Sequence, residues 1–498
     1  MQKITTVLRS GIILWGAVLM SVFFTGCSDT STSERPPNIL FLFSDDQIYS
    51  SIHALGNEEI YTPNLDRLVR RGTSLTNAFN MGGWNGAICT ASRSMLITGR
   101  SLWHANAFRQ SWKKGQGVDQ TWGKLMQQAG YDTYMTGKWH VELDPNLVFD
   151  TVRHVRKGMP NDYRREKGEK RLGYNRPKNP TDTSWLPTDP KHGGYWEGGK
   201  HWSEVTRDDA LDYLDMAGQS DRPFMMYVAF NAPHDPRQAP QAYQDLYDTS
   251  ALSLPLSYQP DYPDRELMGN PKGLRDEALA PFPRTPFAVK THKKEYYAII
   301  SHLDAQIGKI LDALEASGQL ENTYIFFTSD HGLAMGRHGL IGKQSMYDHS
   351  VKPPLIIAGP DIPKNKRITA EVYLQDLMPT ALELAGVPKP DYVEFHSLLP
   401  LATGAQQAGN YPAIYGAYMQ VQRMVRKDGF KLIVYPKAQK VLLFDLENDP
   451  EEINDISADP AYTAKLEELW DALMALQQQY DDPLDLKDLT HFVSGAES

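Results

Sequence analysis

The sequence predicts an α/β fold in which a large, mostly parallel sheet is flanked by helices and followed by a smaller C-terminal antiparallel sheet plus helix. Two observations carry this expectation. Through most of the chain, short continuous apolar runs alternate with amphipathic helices, the pattern of strands buried on both faces of a parallel sheet. Towards the end, short strand-like runs with turn signals between them take over.

The elements follow in order. "NILFLF" reads as a buried parallel strand, and "NLDRLVRRG" as a helix closed by Gly72. "TWGKLMQQAG" repeats the helical form and leads into the strand "YDTYMT". "RPFMMYVAF" is another buried strand. "EYYAIISHLDAQIGKILDALEASG" is a long amphipathic helix with Ile300, Leu303, Ile307, Leu311 and Leu314 on one stripe. It ends at Gly318 and feeds the strand "TYIFFT"; "KPPLIIAG" supplies a further strand. Beyond residue 410 the runs shorten, with Lys427-Asp428-Gly429 as one of the turns, and "AYTAKLEELWDALMALQQQY" is a terminal helix expected to pack on that small sheet.

The first 26 residues read as a targeting segment. Lys3 and Arg9 form a basic start, "GIILWGAVLMSVFF" is the apolar region, and small residues precede Cys27, as in a bacterial lipoprotein signal. On this reading Cys27 is lipidated and the protein is exported, an envelope protein held by a lipid anchor and not by a membrane span. Residues 27–37 are expected to be a tether, 38–395 the large α/β domain, and 396–498 a C-terminal subdomain and tail. The chain has 2 cysteines, so lipidation of Cys27 leaves Cys89 without a partner in an exported protein.

The formal net charge of −10 argues against a general nucleic-acid binder. Residues 151–200 depart from it, with 12 Lys or Arg against 6 Asp or Glu. Aromatics interleave there, at Tyr163, Tyr174, Trp185, Tyr195 and Trp196, with Trp202 just beyond. Such a stretch is either a solvated insertion or a rim that draws in an anionic substrate and stacks sugar rings.

Chemistry-bearing residues gather where strands end. "NILFLF" runs into Asp45 and Asp46, "YDTYMT" into Lys138 and His140, "MMYVAF" into His234, and "TYIFFT" into Asp330 and His331. Ligands of open α/β sheets bind outside the carboxyl ends of the strands, and parallel strands bring those ends to one edge. Asp45, Asp46 and Asp330 gathered there would repel one another unless a cation sat among them, and carboxylates favour a hard divalent ion, Ca²⁺ or Mg²⁺. Lys138, His140, His234 and Lys343 would supply positive charge and exchangeable protons, which suits cleavage of a tetrahedral anion. The spacing of His338 and His349 assigns them no role.

With these residues in view, the sequence resembles the formylglycine-dependent (type I) sulfatases of the alkaline-phosphatase superfamily. That family carries Cys-x-(Pro or Ala)-x-Arg, and here Cys89-Thr90-Ala91-Ser92-Arg93 stands in that form, followed by "MLITGR". "SDDQ", "GKWH", "APHDP", "SDHG" and Gly342-Lys343 stand in the family's order, and "LFDLENDPEEINDIS" resembles its C-terminal subdomain. The resemblance spans about residues 38 to 457. It implies an alkaline-phosphatase-like fold and hydrolysis of a sulfate ester; the basic, aromatic-rich stretch and the export signal point to a sulfated poly- or oligosaccharide as the substrate. The resemblance also implies that a formylglycine-generating maturation enzyme oxidises Cys89 to an aldehyde, whose hydrated form offers one hydroxyl to attack sulfur and another to expel the product. Asp45, Asp46, Asp330, His331 and residue 89 would hold the metal, Ca²⁺ before Mg²⁺. Arg93 and Lys138 would hold the diol, His140 would act as base, and His234 and Lys343 would hold the sulfate, one of them protonating the leaving alcohol. Four positions depart from the pattern. Ala91 replaces the commoner Pro, His331 stands where many members have Asn (a subset resembling iduronate-type sulfatases has His), and Val141-Glu142 replaces Leu-Gly. Rival readings are a phosphodiesterase or phosphonate hydrolase on the same scaffold, a sulfatase for a small ester such as choline sulfate, and a lipid-anchored glycan-binding protein without activity.

Overall fold

The main sheet of the computed structural model, which describes residues 36–156, 173–190, 194–195 and 199–492, has eight strands. The signal and residues 27–35 of the tether, with Cys27, and Tyr163, Arg164, Arg165, Lys167 and Trp196 of the basic stretch lie outside the described residues. In chain order the strands are β1 (Asn38–Ser44), β2 (Thr73–Phe79), β3 (Gly82–Gly83), β4 (Asp132–Lys138), β5 (Thr151–Arg156), β6 (Phe224–Ala229), β7 (Thr323–Ser329), β8 (Leu355–Ala358), β9 (Lys366–Tyr373), β10 (Ile414–Tyr418), β11 (Gln422–Lys427), β12 (Phe430–Tyr435) and β13 (Lys440–Asp445). The large sheet has the order β5-β4-β6-β1-β7-β8-β2-β9. All its neighbouring pairs are parallel except those that β8 makes with β7 and β2. The α/β expectation therefore holds, with "PPLIIAG" supplying the one reversed strand.

Every residue of β1, β6, β7 and β8 is buried, which is why these strands read as unbroken apolar runs. Side chains alternate between the two faces. Leu40 and Leu42 pack with Ile300, Leu303, Ile307, Leu311 and Leu314 of the helix Pro286–Ala316. Ile39, Phe41 and Phe43 pack on the opposite layer, where the Phe41 ring lies 5.3 Å from Trp122 and 5.0 Å from Tyr227. The long helix starts nine residues before the apolar stripe suggested, because Thr285 caps it, accepting the Ala288 N–H at 3.1 Å, and Pro286 follows at the first helical position.

The second sheet has the order β13-β12-β11-β10-β3 and is antiparallel except for the β3–β10 pair. Asp428 and Gly429, with φ of 49° and 77°, make the two-residue turn between β11 and β12. The terminal helix Thr463–Gln479 packs against this sheet through Leu466, Leu469, Trp470 and Leu473. The two-residue strand β3 has no apolar run to announce it. A side chain at Gly82 would place its Cβ 2.0 Å from the Ala417 carbonyl oxygen, so only glycine allows this approach. The same apolar cluster holds Ile88, Ala91 and Met95 alongside Tyr415, Met424 and Ile433, so the small sheet supports the helix that carries Cys89. Among the described residues no helix is long and apolar enough to cross a membrane.

One polar tie near the C-terminus carries a pH prediction. His104 bonds Glu394 Oε1 through Nδ1 at 2.8 Å and Asp481 Oδ2 through Nε2 at 2.9 Å. Burial pulls its pKa down, but the two carboxylates outweigh burial and raise it above the ordinary histidine value. A raised folded-state pKa means the stabilisation is complete below about 6.5 and disappears as the pH rises through the folded value. The ring is partly solvated, so screening limits the contribution to about 1 kcal/mol or less. His104→Gln is expected to lower stability towards denaturant at pH 6 and to leave it nearly unchanged at pH 9; equal losses at both pH values would contradict this.

Candidate active site

Four adjacent strands, β4, β6, β1 and β7, deliver the polar residues that the sequence places at strand ends. Parallel pairing sets their register: Ser44 lies opposite Ser329, and Phe43 opposite Ala229, so Asp45, Asp46, Asp330, His331 and His234 emerge at one edge. Lys138 ends β4. Gly137 before it has φ 87°, and a Cβ there would lie 1.9 Å from the Ala229 carbonyl oxygen, so a glycine is needed where β4 bulges and aims Lys138 inward. Asp46 and His140 hold left-handed backbone at φ 69° and 53°, a conformation that costs non-glycine residues energy and recurs at functional sites.

Cys89 enters from another element. It sits in the first turn of the helix Ile88–Thr98, all of whose residues are buried. Its Sγ lies 3.2 Å from His331 Nε2, 3.3 Å from Lys343 Nζ and 3.8 Å from Asp46 Oδ1. The helix dipole favours negative charge at that end. One turn on, Arg93 is fully buried and ties the edge together: Nε donates to Asp330 Oδ2 at 3.1 Å, Nη1 to the Lys138 carbonyl at 2.8 Å, and Nη2 lies 3.5 Å from Asp45 Oδ1. Its guanidinium stacks 4.5 Å from the Phe43 ring centroid. The Lys138 ammonium bonds Asp45, and Lys343 Nζ reaches both oxygens of Asp46 at 2.8 Å. His234 Nε2 is 3.9 Å from Asp46 Oδ2. Every predicted site residue within the described chain thus reaches this one edge; for His140 the link is electrostatic, with Lys138, Arg93, Asp45 and Lys343 all acting on its ring.

The electrostatics are those of a crowded, dry site. Burial pushes Asp46 up to about 8 against the pull of Lys343 and His331. Burial also opposes ionisation of Asp330, but His331, Arg93 and Lys138 overcome it and hold the carboxyl well below its usual range. His331 is raised to about 9: burial lowers it, and the Asp330 and Asp46 carboxylates more than compensate. His140 is lowered to about 3 by burial and by Lys138 and Arg93, so its ring is neutral at neutral pH, and its buried Nδ1 has no hydrogen-bond partner.

These residues fit a hard divalent cation. Ligand atoms from Asp46, Cys89, Asp330 and His331 lie within 4.8 Å of one another, as do those from Asp45, Asp46 and His234. Asp45 Oδ1 is buried without a hydrogen-bond partner, an orphan that a cation would satisfy. Three carboxylates face three permanent cations, Arg93, Lys138 and Lys343, so a divalent ion would leave net positive charge for an anionic substrate. Beside the carboxylates, the His331 imidazole is a less typical ligand for such an ion, and the Cys89 thiol is a soft one; an oxygen group at position 89 would suit a hard cation better.

Several contributing residues carry no signal in the sequence. Asn80 Nδ2 and Ser92 Oγ both donate to the Asp330 carbonyl, at 2.6 and 2.8 Å, and Tyr296 Oη donates to the Asp46 carbonyl at 2.7 Å. Asn80 and Tyr296 lie outside the motifs named above, so nothing local marks them, and Ser92 stands within the five-residue motif at a position that the motif leaves open. His338 and His349 are structural: both are buried, His338 stacks 4.0 Å from Tyr347, and His349 Nδ1 bonds Ser350 Oγ at 2.9 Å.

Comparison with known proteins agrees with this geometry. A family model described as Sulfatase matches residues 37–387, and one described as N-sulphoglucosamine sulphohydrolase, C-terminal, matches residues 336–479. An N-acetylglucosamine-6-O-sulfatase of Bacteroides thetaiotaomicron is 26% identical, the match covering 93% of this chain and 90% of that protein. An arylsulfatase of Clostridium perfringens is 29% identical over 87% of this chain and 92% of its own length. Among solved structures, a complex with D-glucosamine-2-N,6-O-disulfate superposes with a TM-score of 0.71 at 24% identity, covering 91% of this chain and all of that one. A phosphonate monoester hydrolase of Agrobacterium radiobacter superposes at 0.69 with 20% identity, covering 89% and 96% of the two chains.

Proposed function

Because the chain belongs to the sulfatase family and is a sulfuric ester hydrolase, we propose that it removes sulfate from a sulfated carbohydrate, with Cys89 converted to formylglycine as its nucleophile. The observation that carries this reading is the convergence of Cys89 with three carboxylates and with Arg93, Lys138, His234 and Lys343 at one sheet edge. The soft-donor mismatch at position 89 supports the conversion, because an aldehyde hydrate would place hydroxyls where the thiol stands.

Asp45, Asp46, Asp330 and His331 would hold the cation, Ca²⁺ by the donor set. When bound it polarises sulfate oxygens and acidifies a hydroxyl. The remaining work falls to this chain's side chains. Arg93 and Lys138 fix the carboxylates, and so the position of the metal site, through charge-assisted bonds that need no rearrangement during reaction. Lys343, 3.3 Å from Cys89 Sγ, is placed to neutralise the sulfate oxygens as charge develops. His140 presents a neutral ring beside these cations and would be the base that the resemblance implies. His234 Nε2, 3.9 Å from Asp46 Oδ2, would hold the sulfate; burial and the Lys343 and Lys138 charges keep its pKa well below the ordinary histidine value, which leaves Lys343 to supply the proton for the leaving alcohol.

The carbohydrate substrate is supported by the names of the glucosamine sulfatase relative and of the disulfated-glucosamine complex, and by the basic, aromatic-rich stretch at 151–200. Lipidation at Cys27, export to the bacterial envelope, a formylglycine-generating partner and the division at residues 395/396 are part of the proposal and rest on the sequence signals alone.

Sulfate release from N-acetylglucosamine 6-sulfate and a panel of defined sulfated oligosaccharides tests the reading, with 4-nitrophenyl phosphate in parallel. Preference for sulfated sugars over the phosphate ester is expected; the reverse would point to the phosphonate-hydrolase chemistry of the second structural neighbour. Stripping divalent ions with EGTA is expected to lower turnover at least about 100-fold, and added Ca²⁺ to restore it. Activity indifferent to the chelator would remove the metal from the account.

A further inference from the structure

We propose that Asp276 is a positioning residue, the centre of a bridge through Arg275 and Gln344 that fixes His234 and Lys343 relative to residue 89. The inference rests on the reading of the site given above. Arg275 donates from Nη1 to Asp235 Oδ2 at 2.6 Å, and its Nη2 lies 3.3 Å from His234 Nε2 while bonding Asp276 Oδ1. The other oxygen of Asp276 accepts from Gln344 Nε2 at 2.5 Å. That amide also donates to the Gly86 carbonyl at 3.2 Å, three residues before Cys89, while Gln344 Oε1 accepts the Lys343 N–H at 3.1 Å. One chain of bonds therefore runs from His234 to Lys343 and to the turn that launches the Cys89 helix.

The bridge is tightly built. Asp276 and Gln344 are buried, and a Cβ on Gly342 would lie 2.8 Å from Asp276 Cβ and 2.7 Å from Gln344 Oε1. The neighbouring Glu277 clamps the same strand of chain, accepting the Gly342 N–H at 2.8 Å and the Ile341 N–H at 3.2 Å while pairing with Arg284 at 2.5 Å. Gln344 is anchored from behind, its carbonyl accepting from Asn270 Nδ2 and Gln422 Nε2, each at 2.9 Å. Asp276 thus joins the His234 side of the site to the Lys343 side from behind, through Arg275 and Gln344, where Asp46 meets both groups from within the site. A displacement of about 1 Å in such groups costs on the order of 100-fold in rate.

The test uses inorganic sulfate as a binding probe and 4-nitrophenyl sulfate as a substrate. Asp276→Asn sets two donors against one another at the Gln344 contact. It is expected to weaken sulfate binding about tenfold and to lower kcat about 30-fold or more, while the protein stays folded with a lowered thermal midpoint. Losing a negative charge would by itself strengthen anion binding, so the direction separates positioning from electrostatics. In the exchanged pair Asp276→Asn with Gln344→Glu, the new amide donates to the new carboxylate and net charge is restored, while the bond to the Gly86 carbonyl is lost; binding and turnover are expected to recover in part, by at least about threefold over Asp276→Asn. Native-like sulfate affinity in Asp276→Asn, or no recovery in the exchanged pair, would overturn the proposal. A native protein that binds sulfate but hydrolyses no sulfate ester would overturn the functional reading instead, and the binding measurements would still decide the bridge.

Discussion

Replacing Cys89 by alanine is expected to abolish sulfate-ester hydrolysis and to leave the fold intact. Cys89 is 2% exposed, in a helix where alanine is at least as favourable, and Ile88, Ala91 and Met95 hold that helix on its apolar cluster without it. The substitution removes contacts to His331 and Lys343 but creates little space, so the stability cost is about 1 kcal/mol. Turnover has no comparable reserve. Lys343, His331 and the carboxylates can still bind sulfate, but none supplies a nucleophile at the end of the Ile88–Thr98 helix. A loss on the order of 10⁴-fold to 10⁶-fold is expected, the scale found when a covalent nucleophile is removed. Steady-state turnover beside circular dichroism checks it: native spectra with no sulfate release support the account.

The second large effect is expected at Asp330. Its carboxylate accepts the Arg93 Nε–H and the Asp46 N–H, each at 3.1 Å, and stands among the candidate metal ligands. Asp330→Asn keeps the shape and removes the charge. Arg93 is then left with Asp45 at 3.5 Å, a carboxylate that also bonds Lys138, so a buried cation loses compensation. Breaking such a pair costs about 3–5 kcal/mol. The cation site loses a hard ligand at the same time, and turnover is expected to fall at least about 1000-fold. Thermal unfolding with and without Ca²⁺ separates the two consequences. The native protein is expected to gain stability with added Ca²⁺, whereas Asp330→Asn starts lower and gains little. An equal Ca²⁺ response in both would show that Asp330 does not hold the ion.

Much of this site is legible in the amino-acid sequence. The strands that carry it are buried on both faces, so β1, β6 and β7 appear as unbroken apolar runs, and parallel pairing obliges the residues after them to meet at one edge. What escapes is of two kinds. Strands β5 and β9, the outer members of the sheet, and the mixed strand β2 carry polar residues and half-buried positions that blur the signal. Residues such as Asn80, Asp276 and Gln344 act through bonds between segments 68 to 250 positions apart, and no local pattern encodes those bonds. Gly82 belongs with them, since its approach to Ala417 depends on a strand more than 300 residues later. Arg93 shows the converse. Its place in the five-residue motif is visible, but its full burial against Asp330, Lys138 and Phe43 makes it the tie of the whole edge.

The central claim is that residue 89 works as an aldehyde hydrate and not as a thiol. Mass spectrometry of the tryptic peptide ending at Arg93, taken on preparations matured to different extents, measures the aldehyde fraction directly, and sulfate release from the same samples measures function. Specific activity is expected to rise in proportion to the aldehyde fraction and to extrapolate to zero when every chain carries Cys89. Full activity in protein whose peptide carries only the thiol would contradict the account.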